Sequence, residues 1–428
     1  MKIEPAAGVS GHIGVPGDKS ISHRGVLLGG VGEGETRIEG FGRSEDTEST
    51  VSAMRALGVE VNEEDVDVLV VHGAGLRGLR APEGPIDCGN AGTLMKLLMG
   101  LLAGQTGEFV LSGDESLRGR PVENLAEALR AMGAQIETTD GKPPVRIEGA
   151  ELHAAEHRLE RPSAQTKSAL LLAGMQGGGG RTVIHEPQFT RDHTETMLRA
   201  AGASVRRSGR TVSIEPVEAL RLGRVEVPGD FSSAAPFVTA ATLVPGSELS
   251  IHGVGVNPYR TGLLDVLVRM GARIALFDRR RVGGEPVADL EIRSAPLVAT
   301  TVRRAEVPRM IDELPLFALA AGMARGESVV RGAAQLREKE TDRIETVTNV
   351  LRSLGVRITA SEDGFRVRGV PTRPKGGGAV SSDGDHRIAM LAAVAGLASR
   401  EGVELQDAES VSVSFPGFFD LLESVTQR

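Results

Sequence analysis

The strongest constraint on the fold of this chain is an internal repeat. An amphipathic stretch that ends in Gly and runs into a β-type segment occurs five times: VSAMRALGVEV (51–61), LAEALRAMGAQI (125–136), TMLRAAGASV (196–205), LLDVLVRMGARI (263–274) and VTNVLRSLGVRI (347–358). The glycines at 58, 133, 202, 271 and 355 are 75, 69, 69 and 84 residues apart. In the second copy Leu125, Leu129 and Met132 share one helical face, and Gly133 suits the left-handed position that stops a helix. A second helix keeps the same beat, with copies beginning near Lys19, Asn90, Ser163, Phe231, Asp312 and Asp385. These copies, such as TLMKLLMGLLAG, are apolar nearly all round, which predicts burial. Each is followed by Gly and a β-type run such as GEFVLSG or GESVVRG. The chain is therefore read as α/β, with six units of about 70 residues that each hold one buried and one surface helix.

VPGD occurs twice, at Val15–Asp18 and Val227–Asp230, opening the first and fourth units. The units are expected to group as two domains of three repeats, residues 16–228 and residues 1–15 plus 229–428, with the ligand site in the cleft between them. A generic α/β solenoid is the alternative, and the duplicated VPGD favours a closed twofold arrangement. Composition narrows the function. A single cysteine, Cys88, excludes a disulfide framework and a Cys-rich metal site. The start, MKIEPAAGVSG, lacks a basic segment followed by an apolar one, so a cytoplasmic location is expected. The longest apolar stretches, 97–103 and 388–398, are too short to span a bilayer. A net charge of −8 with one Tyr and no Trp argues against nucleic-acid binding.

The cations are unevenly chosen. Of 49 basic residues only seven are lysines, at 2, 19, 96, 142, 167, 339 and 375. Arg is thus the default cation, and a retained Lys marks a place that needs a compact charge. Lys19, Lys96, Lys167 and Lys339 all fall at or near helix starts, and Arg43, Arg120, Arg191, Arg260 and Arg343 stand at five starts of the outer helices. A helix N-terminus already carries partial positive charge, so added cations there suit multiply anionic ligands. Snorkelling surface arginines are the alternative. Arg337–Arg343 reads REKETDR, and Ile311-Asp312-Glu313 opens the buried helix of the same unit. Carboxylates beside a lysine in a cleft suit general acid–base work, whereas a capping segment with Thr341 as N-cap is the plainer reading of KETDR. Three lookalikes fail on context. Gly73–Gly78 matches G-x-G-x-x-G but is followed by Pro82 and Pro85. His153–His157 matches H-x-x-E-H but lies in a connector. Gly17–Ser20 lacks the upstream glycine of a phosphate-binding loop.

The segments PGDKSISHR (16–24), GNAGT (89–93), GRPVENL (119–125), SAQTKSALLLAG (163–174), TRDHTE (190–195), KETDR (339–343), DGDHRIAM (383–390) and SFPGFF (414–419), with Ile311-Asp312-Glu313, resemble the 5-enolpyruvylshikimate-3-phosphate synthase family over essentially the whole chain. The resemblance implies a two-domain inverse α/β barrel of six βαβαββ repeats, three per domain. It implies transfer of the carboxyvinyl group of phosphoenolpyruvate to the 5-hydroxyl of shikimate 3-phosphate in the shikimate pathway to chorismate and aromatic amino acids, with no metal and no organic cofactor. Carried over residue by residue, Lys19, Ser20, Arg24, Ser163, Ala164, Gln165, Arg191, Asp312 and Lys339 are expected to bind shikimate 3-phosphate. Lys19, Gly92, Arg120, Gln165, Arg343 and Arg387 are expected to hold phosphoenolpyruvate. Asp312 is the expected base at the 5-hydroxyl, and Glu340 the group for the C3 proton, with Lys19 as the other candidate.

A monomer is expected, with glyphosate as a candidate inhibitor to which sensitivity is left open. Gly92 is typical of sensitive relatives, while other motifs resemble the tolerant subgroup. A Lys that many relatives carry before the final S-F-P is missing at Ser412-Val413-Ser414. The sister transferase acting on UDP-N-acetylglucosamine is disfavoured because Asp114–Arg120 contains no Cys. A non-catalytic anion-binding protein on the same scaffold would not need Asp312, Lys339 and Glu340 together.

Overall fold

A computed structural model describes residues 1–428. The chain forms two compact units, one of Met1–Pro16, Gly229–Arg281 and Pro286–Arg428, the other of Gly17–Pro228 with Val282–Glu285. For brevity these are the split unit and the continuous unit. The expected division placed Pro16 and the short segment 282–285 on the opposite sides.

Three of the six sheets follow one plan in full, and the other three vary it. A short strand leads through a buried helix into a second strand parallel to the first, and an antiparallel hairpin then widens the sheet. In the continuous unit Ile86–Asp87 runs through the helix Gly92–Leu102 to Glu108–Ser112, which pairs with Lys142–Glu148 and, beyond it, Gln135–Thr139. Glu156–Arg158, the helix Ala164–Gly174 and Thr182–His185 repeat the plan. In that unit's remaining sheet the parallel partner of Glu35–Glu39 is Arg224–Glu226, from far along the chain. In the split unit the corresponding pair is Glu248–Gly255 with Gly8–Gly14. The last sheet has no closing hairpin; Lys2–Ile3 takes that place beside Val403–Gln406.

Local chemistry explains the punctuation. All five glycines of the repeat have positive φ, between 86° and 101°, a region where a side chain is strained. The sixth outer helix, Phe418–Val425, has no such glycine and passes directly into Thr426–Gln427. Both VPGD motifs end in an N-cap. Asp18 accepts from Ile21 N–H, and Asp230 accepts from Ser232 N–H. Gly17 is required by crowding, since a Cβ there would lie 1.8 Å from the Gly40 carbonyl oxygen. The inner helices Phe231–Leu243, Leu314–Gly322 and His386–Ala398 are buried almost throughout, and each unit has its own apolar core. No helix is long and apolar enough to cross a membrane.

Candidate active site

In the continuous unit the inner helix Lys19–Gly30 begins with the expected cations. Lys19 Nζ lies 2.5 Å from Asp46 Oδ2 on the outer helix Glu45–Ala56. Arg24 is 6% exposed and has no carboxylate within ion-pair distance. Its Nε donates to Thr194 Oγ1 at 2.6 Å, Nη2 to Ser168 Oγ at 3.1 Å and Nη1 to the Ser20 carbonyl at 2.8 Å. Burial pulls the Arg24 pKa down to about 10; Asp18 opposes that shift, and the positive field of Arg191 adds to it. A cation held among hydroxyls in the field of a second cation can receive an anion with several charged oxygens.

The other expected residues of this unit gather at the starts of two further inner helices. Arg120 donates to the carbonyl and side-chain oxygens of Asn90 at 3.2 and 2.6 Å and to Ser116 Oγ at 3.1 Å. A Cβ on Gly92 would come within 3.1 Å of Arg120 Nη1, so glycine leaves the guanidinium its room. Gln165 Nε2 donates to Thr93 Oγ1 at 2.9 Å, joining the starts of the helices Gly92–Leu102 and Ala164–Gly174. Ser163 caps the latter by accepting from Thr166 N–H. Two cations from the sequence reading are taken up in ion pairs. Lys167 is completely buried against Glu186 and Glu195, and Arg43 is paired with Glu48 and Glu63 at the surface.

In the split unit, Asp312 (9% exposed) faces three cations. Lys339 Nζ lies 3.4 Å from its Oδ1, Arg343 Nη1 3.7 Å from Oδ1, and Arg260 Nη1 3.5 Å from Oδ2. Arg343 also binds Glu340 at 2.5 Å and is clamped by the buried Asp385 through Nε and Nη2 at 2.7 and 3.0 Å. Burial alone would lower its pKa, but Asp385, Glu340 and Asp312 more than offset that and raise it. Arg387 approaches Glu313 at 3.7 Å, and Glu313 accepts from Ser232 Oγ. The N-cap of the helix Arg343–Ser353 is Asp342, not Thr341, whose hydroxyl donates to Asp385. Sequence reasoning assigned no role to Asp46, Ser168, Thr194, Glu313 and Asp385. All but Asp46 lie in segments it singled out, and Asp385 also carried a signal as an N-cap before an apolar helix.

Buried and half-buried arginines, half-buried lysines and a carboxylate pair are groups that suit small, multiply anionic substrates and proton transfer. The fold is that of the enolpyruvyl transferases: the enolpyruvyl transferase NikO from Streptomyces tendae superposes with a TM-score of 0.79 at 20% identity, over 99% of this chain and 96% of that one. The sequence profile of EPSP synthase (3-phosphoshikimate 1-carboxyvinyltransferase) matches residues 3–422. The chain belongs to that family. It is 48% identical over 421 residues to the 3-phosphoshikimate 1-carboxyvinyltransferase of Alkalilimnicola ehrlichii, covering 98% of this chain and 94% of the relative. It is 47% identical to that of Geobacter sp. strain M21, covering 100% and 99%. A solved EPSP synthase from Acinetobacter baumannii superposes with a TM-score of 0.87 at 40% identity, over 99% of this chain and 98% of that one.

Proposed function

We propose that this chain catalyses the 3-phosphoshikimate 1-carboxyvinyltransferase reaction. It transfers the carboxyvinyl group of phosphoenolpyruvate to the 5-hydroxyl of shikimate 3-phosphate and releases phosphate, a step of aromatic amino-acid biosynthesis. The observation that carries the reading is the group of Asp312, Lys339, Arg343 and Glu340, two carboxylates interleaved with two cations. Asp312 takes the proton of the 5-hydroxyl as its oxygen bonds to C2 of phosphoenolpyruvate. Glu340 delivers a proton to C3, with Lys19 as the other candidate. The tetrahedral ketal then expels phosphate from C2 and returns the C3 proton, which restores the double bond in the product. Arg343 holds the incoming phosphoenolpyruvate and so loosens its own pairing with Glu340.

Arg24, Arg191, Ser20, Ser163, Ala164, Gln165 and Lys339 bind shikimate 3-phosphate, and Gly92, Arg120, Arg387 and Lys19 complete the phosphoenolpyruvate contacts. A lysine about 4 Å from a phosphate contributes roughly 4 kcal/mol at an effective dielectric of 20, before desolvation is subtracted. The same reading includes a monomer and a cytoplasmic location, with glyphosate as a candidate inhibitor. The test is phosphate release from phosphoenolpyruvate by the purified protein. Release is expected only when shikimate 3-phosphate is present; release driven by UDP-N-acetylglucosamine instead would overturn the assignment. Asp312→Asn is expected to lower kcat by about 10²–10⁴ with both KM values within about threefold.

A further inference from the structure

We infer that Lys167, with Glu195, Glu186 and Arg207, is a positioning residue that sets Arg24 and Arg191 for shikimate 3-phosphate. The inference rests on the assignment of those two arginines to that substrate under Proposed function.

Lys167, Glu186 and Glu195 have fully buried side chains. Lys167 Nζ lies 2.8 Å from Glu195 and 3.2 Å from Glu186, and Arg207 binds the same two carboxylates at 2.7 and 3.1 Å. Two cations and two anions make the cluster neutral. Apolar side chains of similar volume often stabilise a fold as well as such a buried group does, so stability alone gives little reason to keep it. What the cluster does is geometric. The third donor of Lys167 goes to the Arg191 carbonyl at 2.9 Å, with the Thr190 carbonyl at 3.4 Å, and Thr190 Oγ1 donates to Glu186. The main chain that carries Arg191 is thus held from below.

The Lys167–Glu195 pair also ties the inner helix Ala164–Gly174 to the outer helix His193–Ala200. The adjoining residues on those helices are Ser168 and Thr194. Thr194 Oγ1 donates to Ser168 Oγ at 2.7 Å, and together they accept Nε and Nη2 of Arg24. One ion pair therefore fixes the backbone of one phosphate-binding arginine and the acceptors of the other. Two like charges repel, so their spacing needs a stiff frame, and a substrate phosphate then meets both without the cost of reordering them. A compact ammonium serves two carboxylates and one carbonyl from a single nitrogen, a geometry the flat fork of Arg cannot reproduce. That accounts for a lysine in a chain where Arg is the usual cation.

The test is steady-state kinetics of Lys167→Met and of the charge-balanced Lys167→Met/Glu195→Gln, beside Arg24→Met and Arg191→Ala, with thermal melting of each. The double variant leaves Arg207 and Glu186 as a neutral pair, so it is expected to recover the melting temperature that the single change loses. Both Lys167 variants are expected to raise KM for shikimate 3-phosphate about tenfold or more, with kcat and KM for phosphoenolpyruvate within about threefold. A double variant with recovered melting and normal KM for shikimate 3-phosphate would overturn the inference, leaving Lys167 a purely structural residue. So would kcat and both KM values falling or rising together. If instead Arg24→Met and Arg191→Ala leave that KM unchanged, the underlying assignment of the two arginines fails.

Discussion

Arg24 illustrates how a single residue trades stability for binding. Its guanidinium is buried without a carboxylate, and burial together with Arg191 holds its pKa down at about 10 against the opposing pull of Asp18. At neutral pH it is charged in both folded and unfolded chains, so the folded state carries the full cost of desolvating it. Arg24→Met is therefore expected to leave the ligand-free melting temperature unchanged or higher. Calorimetry should show affinity for shikimate 3-phosphate falling about 100-fold or more, as for loss of a charge-assisted contact to phosphate. A purely structural arginine would show the reverse. His23, next to it, is pushed well below the ordinary imidazole range by burial, helped by Lys19 and Arg24. The folded chain refuses a proton that the unfolded chain takes near pH 6.5, so its contribution is complete above that pH and lost as pH falls through it. The slope is up to about 1.4 kcal/mol per pH unit. Urea titrations at about pH 7.5 and 5.5 should show a smaller acid loss for His23→Gln than for the parent chain.

At the scale of elements, the inner helices pack closely enough to depend on missing side chains. A Cβ on Gly100 of the helix Gly92–Leu102 would stand 2.1 Å from the Ala169 carbonyl oxygen on the neighbouring helix Ala164–Gly174. Backbone cannot step aside as a side chain does. Gly100→Ala is expected to destabilise the fold by about 1–3 kcal/mol in chemical denaturation. It should also raise KM for phosphoenolpyruvate, because Thr93 and Gln165 at the starts of the same helices are hydrogen-bonded. The repeat itself is legible in sequence for a physical reason: Leu125, Leu129 and Met132 mark a face, and Gly133, like its four counterparts, must take a left-handed φ. What stayed hidden are partners brought from elsewhere. Asp46 lies 27 residues from Lys19, and Asp385 lies 42 from Arg343, and no local pattern joins them. Lys167 misled for the same reason, since its burial depends on Glu186 and Glu195.

For the molecule as a whole, net charge and ligand charge point in opposite directions. The chain carries −8, yet its helix starts present Lys19, Arg24, Arg120, Lys339, Arg343 and Arg387. The acids are largely committed, either as caps such as Asp18 and Asp342 or as ion-pair partners such as Asp46 and Asp385. Overall charge governs solubility and association; the field at a site is set by the few groups within it. The central claim is that these cations and the Asp312–Glu340 pair serve one carboxyvinyl transfer. Phosphorus NMR of an equimolar mixture of protein, phosphoenolpyruvate and shikimate 3-phosphate tests it most directly. The account predicts loss of the phosphoenolpyruvate signal, appearance of inorganic phosphate and retention of the shikimate phosphate ester, with the same change about 10²–10⁴ times slower for Asp312→Asn. An unchanged phosphoenolpyruvate signal with the parent protein, or loss of the shikimate phosphate ester, would contradict it.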